Sequence, residues 1–231
     1  MVSLSNEKVL LLLTFYTMYL IFHLSGSSSF KTALYVFTAA NNDQNEEAEA
    51  LIKWKISLHN KSQHVLSSWL LGGSSGHCSW LGVACDDESI SLTHLNLSSS
   101  GLSDMLHNLT FSSFTNLINI DFEKTNLHGE IPLGLYSLSK LNHLDLADNY
   151  LSGFLSPAVG NLSHLSYIHL SRNYLSGAIP KEIGLLRDLQ EFRIGANGFS
   201  GSIPKEVGNL ISLRVLNIDT KNLTGPIPAS I

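Results

Sequence analysis

Two cysteines, Cys78 and Cys85, are the only ones in the sequence of 231 residues, and their spacing allows two kinds of chemistry. A C-x6-C pair can close a disulfide bond or supply half of a zinc site. Zinc needs about four ligands, and the sequence has neither a second Cys pair nor a His-x3-His motif to supply the rest. The spacing therefore predicts a disulfide, which implies an oxidising compartment and contributes roughly 2–3 kcal/mol by closing a short loop.

Ionisable side chains recur in the second half of the chain at 24-residue intervals, in a series that runs from acidic to basic. Two neighbouring places of the same interval add an aromatic ring and a second arginine. These residue types suit an extended peptide with a charge at each end, so we predict a ligand-binding face made of Asp121, Asp145, Tyr167, His169, Arg172 and Arg193. The alternative is a solvated face on which neighbours such as Asp148 and Arg172 pair with each other, for only ~0–1 kcal/mol.

His169 lies between Asp145 and Arg193 in this series, so opposite charges flank it. Histidine titrates near pH ~6.5 when unperturbed, which gives the hypothesis that ligand affinity changes between about pH 5 and pH 7 through His169. The alternative is a solvated histidine without a role. No nucleophile–base pair has supporting spacing, and a sheet face without a pocket suits acid–base chemistry poorly. We therefore expect no enzyme activity, no cofactor and no metal.

A repeat of 24 residues must position these side chains. Each copy has an apolar frame such as Leu141, Leu144, Leu146 and Leu151, and a looser first copy starts at Leu92. This is the leucine-rich-repeat pattern L-x-x-L-x-L-x-x-N-x-L. A glycine follows each frame, and Ile-Pro follows the glycine in every copy except the one that reads "GFLSP". The glycines are Gly129, Gly153, Gly177, Gly201 and Gly225.

Alternating apolar residues make a short strand with one buried face, which a single copy cannot cover. Stacking each copy on the next gives a continuous core and a parallel sheet. The sequence therefore predicts a β-rich α/β fold, a right-handed leucine-rich-repeat solenoid. We expect short parallel strands on its concave face, and turns with short 3-10 helices on its convex face. The glycine and proline are interpreted as turn residues, because glycine tolerates positive φ and proline ends strand pairing.

An asparagine follows the strand in three copies, where the chain turns away from the sheet. We predict that Asn149, Asn173 and Asn197 form a structural ladder, because a side-chain amide can bond backbone groups that would otherwise be buried without partners. Thr125 and Lys221 occupy this place in two other copies. We expect those two turns to be less well satisfied.

The L-x-G-x-I-P variant of the repeat resembles the plant-specific class of leucine-rich repeats, over about residues 46–231. The resemblance includes an N-terminal cap, in which "EEAEALIKWKISLHN" is an amphipathic helix and "CSWLGVACD" contains the cysteine pair. Members of that class are ectodomains of receptor-like kinases, receptor-like proteins and polygalacturonase inhibitors. The resemblance implies a helical, disulfide-containing cap over residues 41–91 and about six repeats over residues 92–231, the last one incomplete.

The segment of residues 1–40 carries the run "VLLLLTFYTMYLIF", preceded by Lys8. Its length suits the hydrophobic region of a signal peptide better than a membrane span, which needs ~20 residues. We predict a signal peptide cleaved somewhere between residues 24 and 40, with an uncleaved signal anchor as the alternative. Five N-x-S/T sequons add to the prediction of a secreted or cell-surface glycoprotein, and they start at Asn60, Asn96, Asn108, Asn161 and Asn222.

Charged residues make up 14% of the sequence and the formal net charge is −5, so nucleic acid is a poor partner. The first interpretation is a truncated ectodomain of a plant receptor-like kinase that senses a peptide or protein, in signalling or defence, with a possible leucine-rich-repeat co-receptor. A membrane would then be reached only through a missing span or an uncleaved anchor. The second is a secreted defence protein of the polygalacturonase-inhibitor type.

Overall fold

The leucine frame folds into one short strand per coil. The computed structural model describes residues 46–72, 76–88 and 90–230, all within one compact unit, so the predicted signal segment lies outside the described residues. The strands are β1 (Val83–Cys85), β2 (Leu92–Asn96), β3 (Asn119–Asp121), β4 (His128–Glu130), β5 (His143–Asp145), β6 (Tyr150–Ser152), β7 (Tyr167–His169), β8 (Ser176–Ala178), β9 (Glu191–Arg193), β10 (Gly198–Ser202), β11 (Val215–Asn217) and β12 (Asn222–Thr224).

The main sheet has seven strands in the order β1-β2-β3-β5-β7-β9-β11. All of its pairs are parallel except β1 with β2, which closes one edge with an antiparallel strand. The middle residue of each short strand faces the core, and in register these are Ile120, Leu144, Ile168 and Phe192, none more than 2% exposed. The predicted parallel sheet and its continuous leucine core are confirmed.

A second set of strands lies at the L-x-G segment of each coil, where the sequence predicted only turns. β4 pairs with β6, and β8, β10 and β12 form a three-stranded parallel sheet. A single bridge from Phe154 to Ser176 connects the two groups. The recurrent glycines have φ between 79° and 82°, which an L side chain rarely adopts, so the glycine is required although it lies within or beside a strand.

Short 3-10 helices return the chain on the side of each coil opposite the main sheet, as predicted. Proline fixes the extended residue before three of them, at Pro132, Pro180 and Pro204. In the copy without Ile-Pro, the Ser156 side chain accepts a hydrogen bond from the Ala158 backbone N–H instead. The 3-10 helices are His77–Ser79, Phe111–Ser113, Leu133–Ser137, Pro157–Asn161, Lys181–Leu185 and Lys205–Asn209.

Two helices, α1 (residues 46–57) and α2 (Asn60–Val65), cover the first coil. Trp54 is fully buried, its ring lies 6.1 Å from that of Phe122, and its Nε1 donates to the carbonyl of Met105. Glu47 is only 1% exposed, and its carboxylate accepts a hydrogen bond from the Leu92 N–H of β2 at 2.9 Å. The helical cap is thus bonded to the first parallel strand through a buried carboxylate.

The predicted disulfide joins Cys78 to Cys85. Next to it, His77 is 4% exposed and its Nε2 lies 3.0 Å from the Glu47 carboxylate. His77, Cys78 and Cys85 bring one imidazole and two sulfur atoms together, but both sulfur atoms belong to the disulfide. The cysteines therefore fasten the cap and do not offer thiolates to a metal.

Each ladder asparagine bonds two coils at once. Asn173 Nδ2 donates to the carbonyls of Leu146 and Leu170, and its Oδ1 accepts from the Leu151 N–H at 2.9 Å. The same pattern recurs one coil earlier at Asn149 and one coil later at Asn197. These bonds use both ends of the amide, so the turn after each of these strands depends on an asparagine side chain.

The expectation of a poorly satisfied turn is wrong at Thr125. This residue is completely buried, and its hydroxyl donates to the Phe122 carbonyl at 2.7 Å. Its N–H also bonds the Oδ1 of Asn149 in the next coil. A threonine can replace the asparagine here because the neighbouring asparagine supplies the remaining acceptor.

Replacing Asn173 by alanine removes a donor and an acceptor that serve buried backbone groups of two coils. We expect Asn173→Ala to lower the free energy of unfolding by roughly 1–3 kcal/mol. The matched control is Asn209→Ala at an exposed position, where the change should stay within about 0.5 kcal/mol. Urea denaturation of both variants measures the difference, and equal effects would contradict a structural role for the ladder.

Candidate functional site

The parallel register places the predicted charge series on one face of the main sheet. Asp121 pairs with Asp145, Asp145 with His169, and His169 with Arg193, each on a neighbouring strand. Strands in a sheet lie about 4.8 Å apart, so these four side chains form a continuous column. We call this surface, with the adjacent column of His143, Tyr167 and Glu191, the concave face.

Asp145 is the centre of a hydrogen-bonded cluster on this face. Its Oδ2 lies 3.1 Å from His169 Nδ1 and accepts from the Tyr167 hydroxyl at 3.4 Å. Its Oδ1 accepts from the Ala147 N–H at 2.9 Å, so both carboxylate oxygens are fixed. The Asp145 and His169 side chains are 12% and 21% exposed, and the cluster is therefore only partly open to solvent.

Two rings of the adjacent column stack on each other. The His143 and Tyr167 ring centroids are 4.1 Å apart, and the ring planes differ by 3°. The same tyrosine meets His169 edge-on, with centroids 6.1 Å apart. His143 covers one face of the Tyr167 ring and His169 makes an edge-on contact with it, so these neighbours limit the movement of the ring.

Burial and these contacts shift the ionisation of the cluster. Burial is the largest influence on Asp145 and by itself raises its pKa, but hydrogen bonds from His169 and Ala147, together with nearby imidazoles, outweigh it, so the pKa of Asp145 lies below its ordinary value. Burial lowers the pKa of His143, and nearby carboxylates oppose this only in part. Burial, with a contribution from Asp145, raises the pKa of Tyr167 to about 12. At neutral pH the face thus holds an ionised carboxylate beside a neutral phenol and a neutral His143.

The two arginines of the predicted site have separate surroundings. Arg193 donates from Nε to the Glu191 carboxylate of its own strand at 2.9 Å, which offsets part of its charge. Arg172 lies off the concave face, 73% exposed and 3.5 Å from the carboxylate of Asp148. The structure therefore brings Asp121, Asp145, Tyr167, His169 and Arg193 together and places Arg172 beside a different cleft.

Three residues outside the predicted site also shape this face. His143 stacks on Tyr167, Glu191 binds Arg193, and Asn96 Nδ2 donates to the Asp121 carboxylate at 3.0 Å. Their shared 24- or 25-residue spacing from the predicted residues is the signal that identifies them. The arrangement offers an aromatic contact, hydrogen-bond acceptors and charges of both signs. The hypothesis that His169 makes ligand affinity depend on pH stays a prediction.

All five sequon asparagines, Asn60, Asn96, Asn108, Asn161 and Asn222, are exposed. Asn96 lies at the end of β2 and Asn222 begins β12, so two of the five sequons are on strands. Among the described residues, no helix is both long and apolar enough to span a bilayer.

Comparisons with known proteins identify the repeats. The family described as a leucine rich repeat N-terminal domain matches residues 44–86, and the Leucine Rich Repeat family matches residues 140–162 and 164–186. MDIS1-interacting receptor like kinase 2 of Arabidopsis thaliana is 41% identical over 88 residues, which cover 37% of this chain and 8% of the relative. The chain therefore spans less than a tenth of the length of that curated relative.

Solved structures of plant receptor ectodomains share the fold. The BIR2 ectodomain from Arabidopsis thaliana aligns with a TM-score of 0.67 at 28% identity, over 80% of this chain and 98% of that one. The Arabidopsis receptor kinase HAESA, in complex with the peptide hormone IDA and the co-receptor SERK1, aligns with a TM-score of 0.62 at 32% identity, over 80% of this chain and 35% of that one. The predicted resemblance of this chain to leucine-rich-repeat ectodomains of plant receptors is therefore confirmed.

The lowered pKa of His143 makes the stability of the protein depend on pH. A histidine whose pKa is lower in the folded than in the unfolded state binds fewer protons in the native protein. Its contribution to the free energy of unfolding is therefore complete above its unfolded-state pKa of about 6.5 and is lost as pH falls below that value. Asp145 adds a second loss, which begins only below about pH 4.

We expect His143→Phe, which can keep the stack on Tyr167 but does not titrate, to lose less stability than wild type between about pH 7 and pH 5. Denaturant unfolding at the two pH values measures the difference. His107→Gln, at an exposed position, is the control and should retain the wild-type decrease. If His143→Phe and wild type lose the same stability, the burial of a neutral His143 is not the cause.

Proposed function

We propose that this chain, which has a leucine-rich-repeat N-terminal domain and leucine-rich repeats of the kind found in plant receptor kinase ectodomains, recognises a peptide or protein ligand with its concave face. Several of its relatives are kinases and hence enzymes, but we assign binding and not catalysis to these repeats. The function of the relatives as whole proteins is a separate matter, because the chain covers only a small part of their length.

The observation that carries the proposal is the order of groups across four parallel strands. Two carboxylates precede a histidine and an arginine, and the half-buried Tyr167 lies beside them. An extended chain lying across the strands meets these groups in sequence, with acidic side chains near β3 and β5 and a basic one on β9. Electrostatic order of this kind fixes the direction and register of a ligand more than it adds affinity.

The relatives suggest the biological setting. HAESA was solved with a peptide hormone and the co-receptor SERK1, and we propose a peptide ligand and a leucine-rich-repeat co-receptor for this chain too. The relation to receptor kinases supports an extracellular or cell-surface location, as do the disulfide and the exposed sequons. A role in signalling or defence follows from this setting.

Selection from a phage-displayed library of random linear peptides on the immobilised chain tests the binding face. We expect the selected peptides to lose about tenfold in affinity for Asp121→Asn and for Arg193→Gln, because each change removes a charge-assisted hydrogen bond. Lys181→Gln, at an exposed position in a 3-10 helix opposite the main sheet, is the matched control and should bind as wild type does. Surface plasmon resonance measures each affinity.

Hydrogen–deuterium exchange on the same complexes locates the bound peptide. Protection should centre on the concave-face strands β3, β5, β7 and β9. Peptides that protect other surfaces, or that bind Asp121→Asn and Arg193→Gln as tightly as wild type, would rule out the concave face as the ligand site.

The proposed location has its own test. We expect the chain, expressed in eukaryotic cells, to be recovered from the medium and to gain electrophoretic mobility after treatment with peptide-N-glycosidase F. A variant with all five sequon asparagines changed to glutamine should show no such shift. Retention inside the cell without glycans would contradict the extracellular assignment while leaving the peptide-binding test unaffected.

A further inference from the structure

A second cleft lies beside the turns that follow the strands, away from the cluster around Asp145. It is shallow and open, with a volume of about 360 Å³, and spans three successive coils. Its lining includes Asp148, Arg172 and Ala196, one from each coil, together with Tyr150 and Tyr174. We call this the tyrosine cleft.

The two tyrosines offer aromatic surface to solvent. Tyr150 is 51% exposed and Tyr174 is 65% exposed, although both lie beside fully buried leucines of the same segments. Their ring centroids are 6.1 Å apart and the ring planes differ by 17°, so the rings stack across neighbouring coils. Exposed large aromatic groups at a cleft mark a binding site more often than isolated exposed side chains do.

The stack ends at a position without a side chain. One repeat after Tyr174 the sequence has Gly198, whose N–H donates to the carbonyl of Leu175. No aromatic side chain of the next coil therefore continues the stack, and the ring of Tyr174, 65% exposed, is its last member. A ring from a ligand can pack against this exposed ring of Tyr174 as the next member of the stack.

The polar groups of the cleft balance in charge. Asp148 and Arg172 lie 3.5 Å apart at their nearest atoms, and the Arg172 side chain is 73% exposed, so it has N–H groups free for further bonds. The Asp148 carboxylate repels an anionic ligand, and the Arg172 guanidinium repels a cationic one. Asn149 and Asn173 also line the cleft, but they add no preference for a charged ligand because their amides bond the backbone.

We propose that the tyrosine cleft binds a neutral oligosaccharide. A β-glucopyranose chair carries axial C–H groups on its faces, and these pack against the negative face of an aromatic ring. Its hydroxyls both donate and accept, which matches the carboxylate of Asp148 and the guanidinium of Arg172. A peptide with an aromatic side chain is the competing ligand, because its backbone also donates and accepts, and the tests below distinguish the two. None of the sequon asparagines lines the cleft, so the chain's own glycans do not start there.

The site is tested by titrating cellohexaose into the full chain after its glycans have been trimmed. Isothermal calorimetry should give saturable binding, and Tyr174→Ser should weaken it about tenfold, because one aromatic contact is worth on that order. Tyr174→Phe keeps the ring and should remain within about threefold of wild type. Phe154→Ser, at an exposed aromatic outside the cleft, is the matched control and should bind as wild type does.

Two further measurements distinguish sugar binding in the tyrosine cleft from binding elsewhere on the chain and from charge attraction alone. Tyr167→Ala on the concave face should bind cellohexaose normally, so a failure of peptide binding leaves the sugar result intact. Hexagalacturonic acid should bind more weakly than cellohexaose because of Asp148. The proposal is overturned if cellohexaose does not bind, if Phe154→Ser weakens binding as much as Tyr174→Ser, or if only the anionic sugar or a tyrosine-containing peptide binds.

Discussion

The amide of one asparagine side chain, placed at the turn after the strand, joins neighbouring coils in the middle of this solenoid. A short strand leaves the sheet at a point where its carbonyls and the N–H of the preceding coil would be buried without partners. Asn173 satisfies groups of both coils at once, and so fixes how one coil lies on the next. The register of the sheet, and with it every column of side chains on its surface, depends on this bonding together with the buried leucines.

Because register is fixed, function can be spread over residues that are far apart in sequence. The cluster of Asp145, Tyr167 and His169 spans two coils, and the tyrosine cleft spans three. The two surfaces differ in character. The concave face presents an ordered series of charges on a partly buried platform, whereas the cleft combines exposed rings with a balanced ion pair. They share the same coils, and we propose that a single stretch of the chain serves two chemically distinct ligands.

Much of this fold is predictable from the sequence, because its period fixes which residues become neighbours. The strand positions, the asparagine ladder and the column from Asp121 to Arg193 all follow from 24-residue spacing, and the disulfide follows from the C-x6-C pair. The second set of strands does not, since glycine within a three-residue strand argues locally against pairing and only the stacked neighbours supply the partners. Side-chain conformation is harder to predict: the spacing gives the pairing of Asp148 with Arg172 only as an alternative, which the structure shows at 3.5 Å. The spacing cannot say that His143 stacks on Tyr167 or that the Ser156 hydroxyl accepts a bond from the Ala158 N–H.

The bonding of each coil to its immediate neighbours alone has a mechanical consequence. Apart from the cap, the parallel strand pairs and the ladder bonds connect residues about one repeat apart, and no long crossover ties distant coils together among the described residues. Tension applied along the axis therefore separates neighbouring coils from each other one pair at a time. Such a chain yields by peeling in small, similar increments rather than by one abrupt rupture, and relaxes by the same route in reverse.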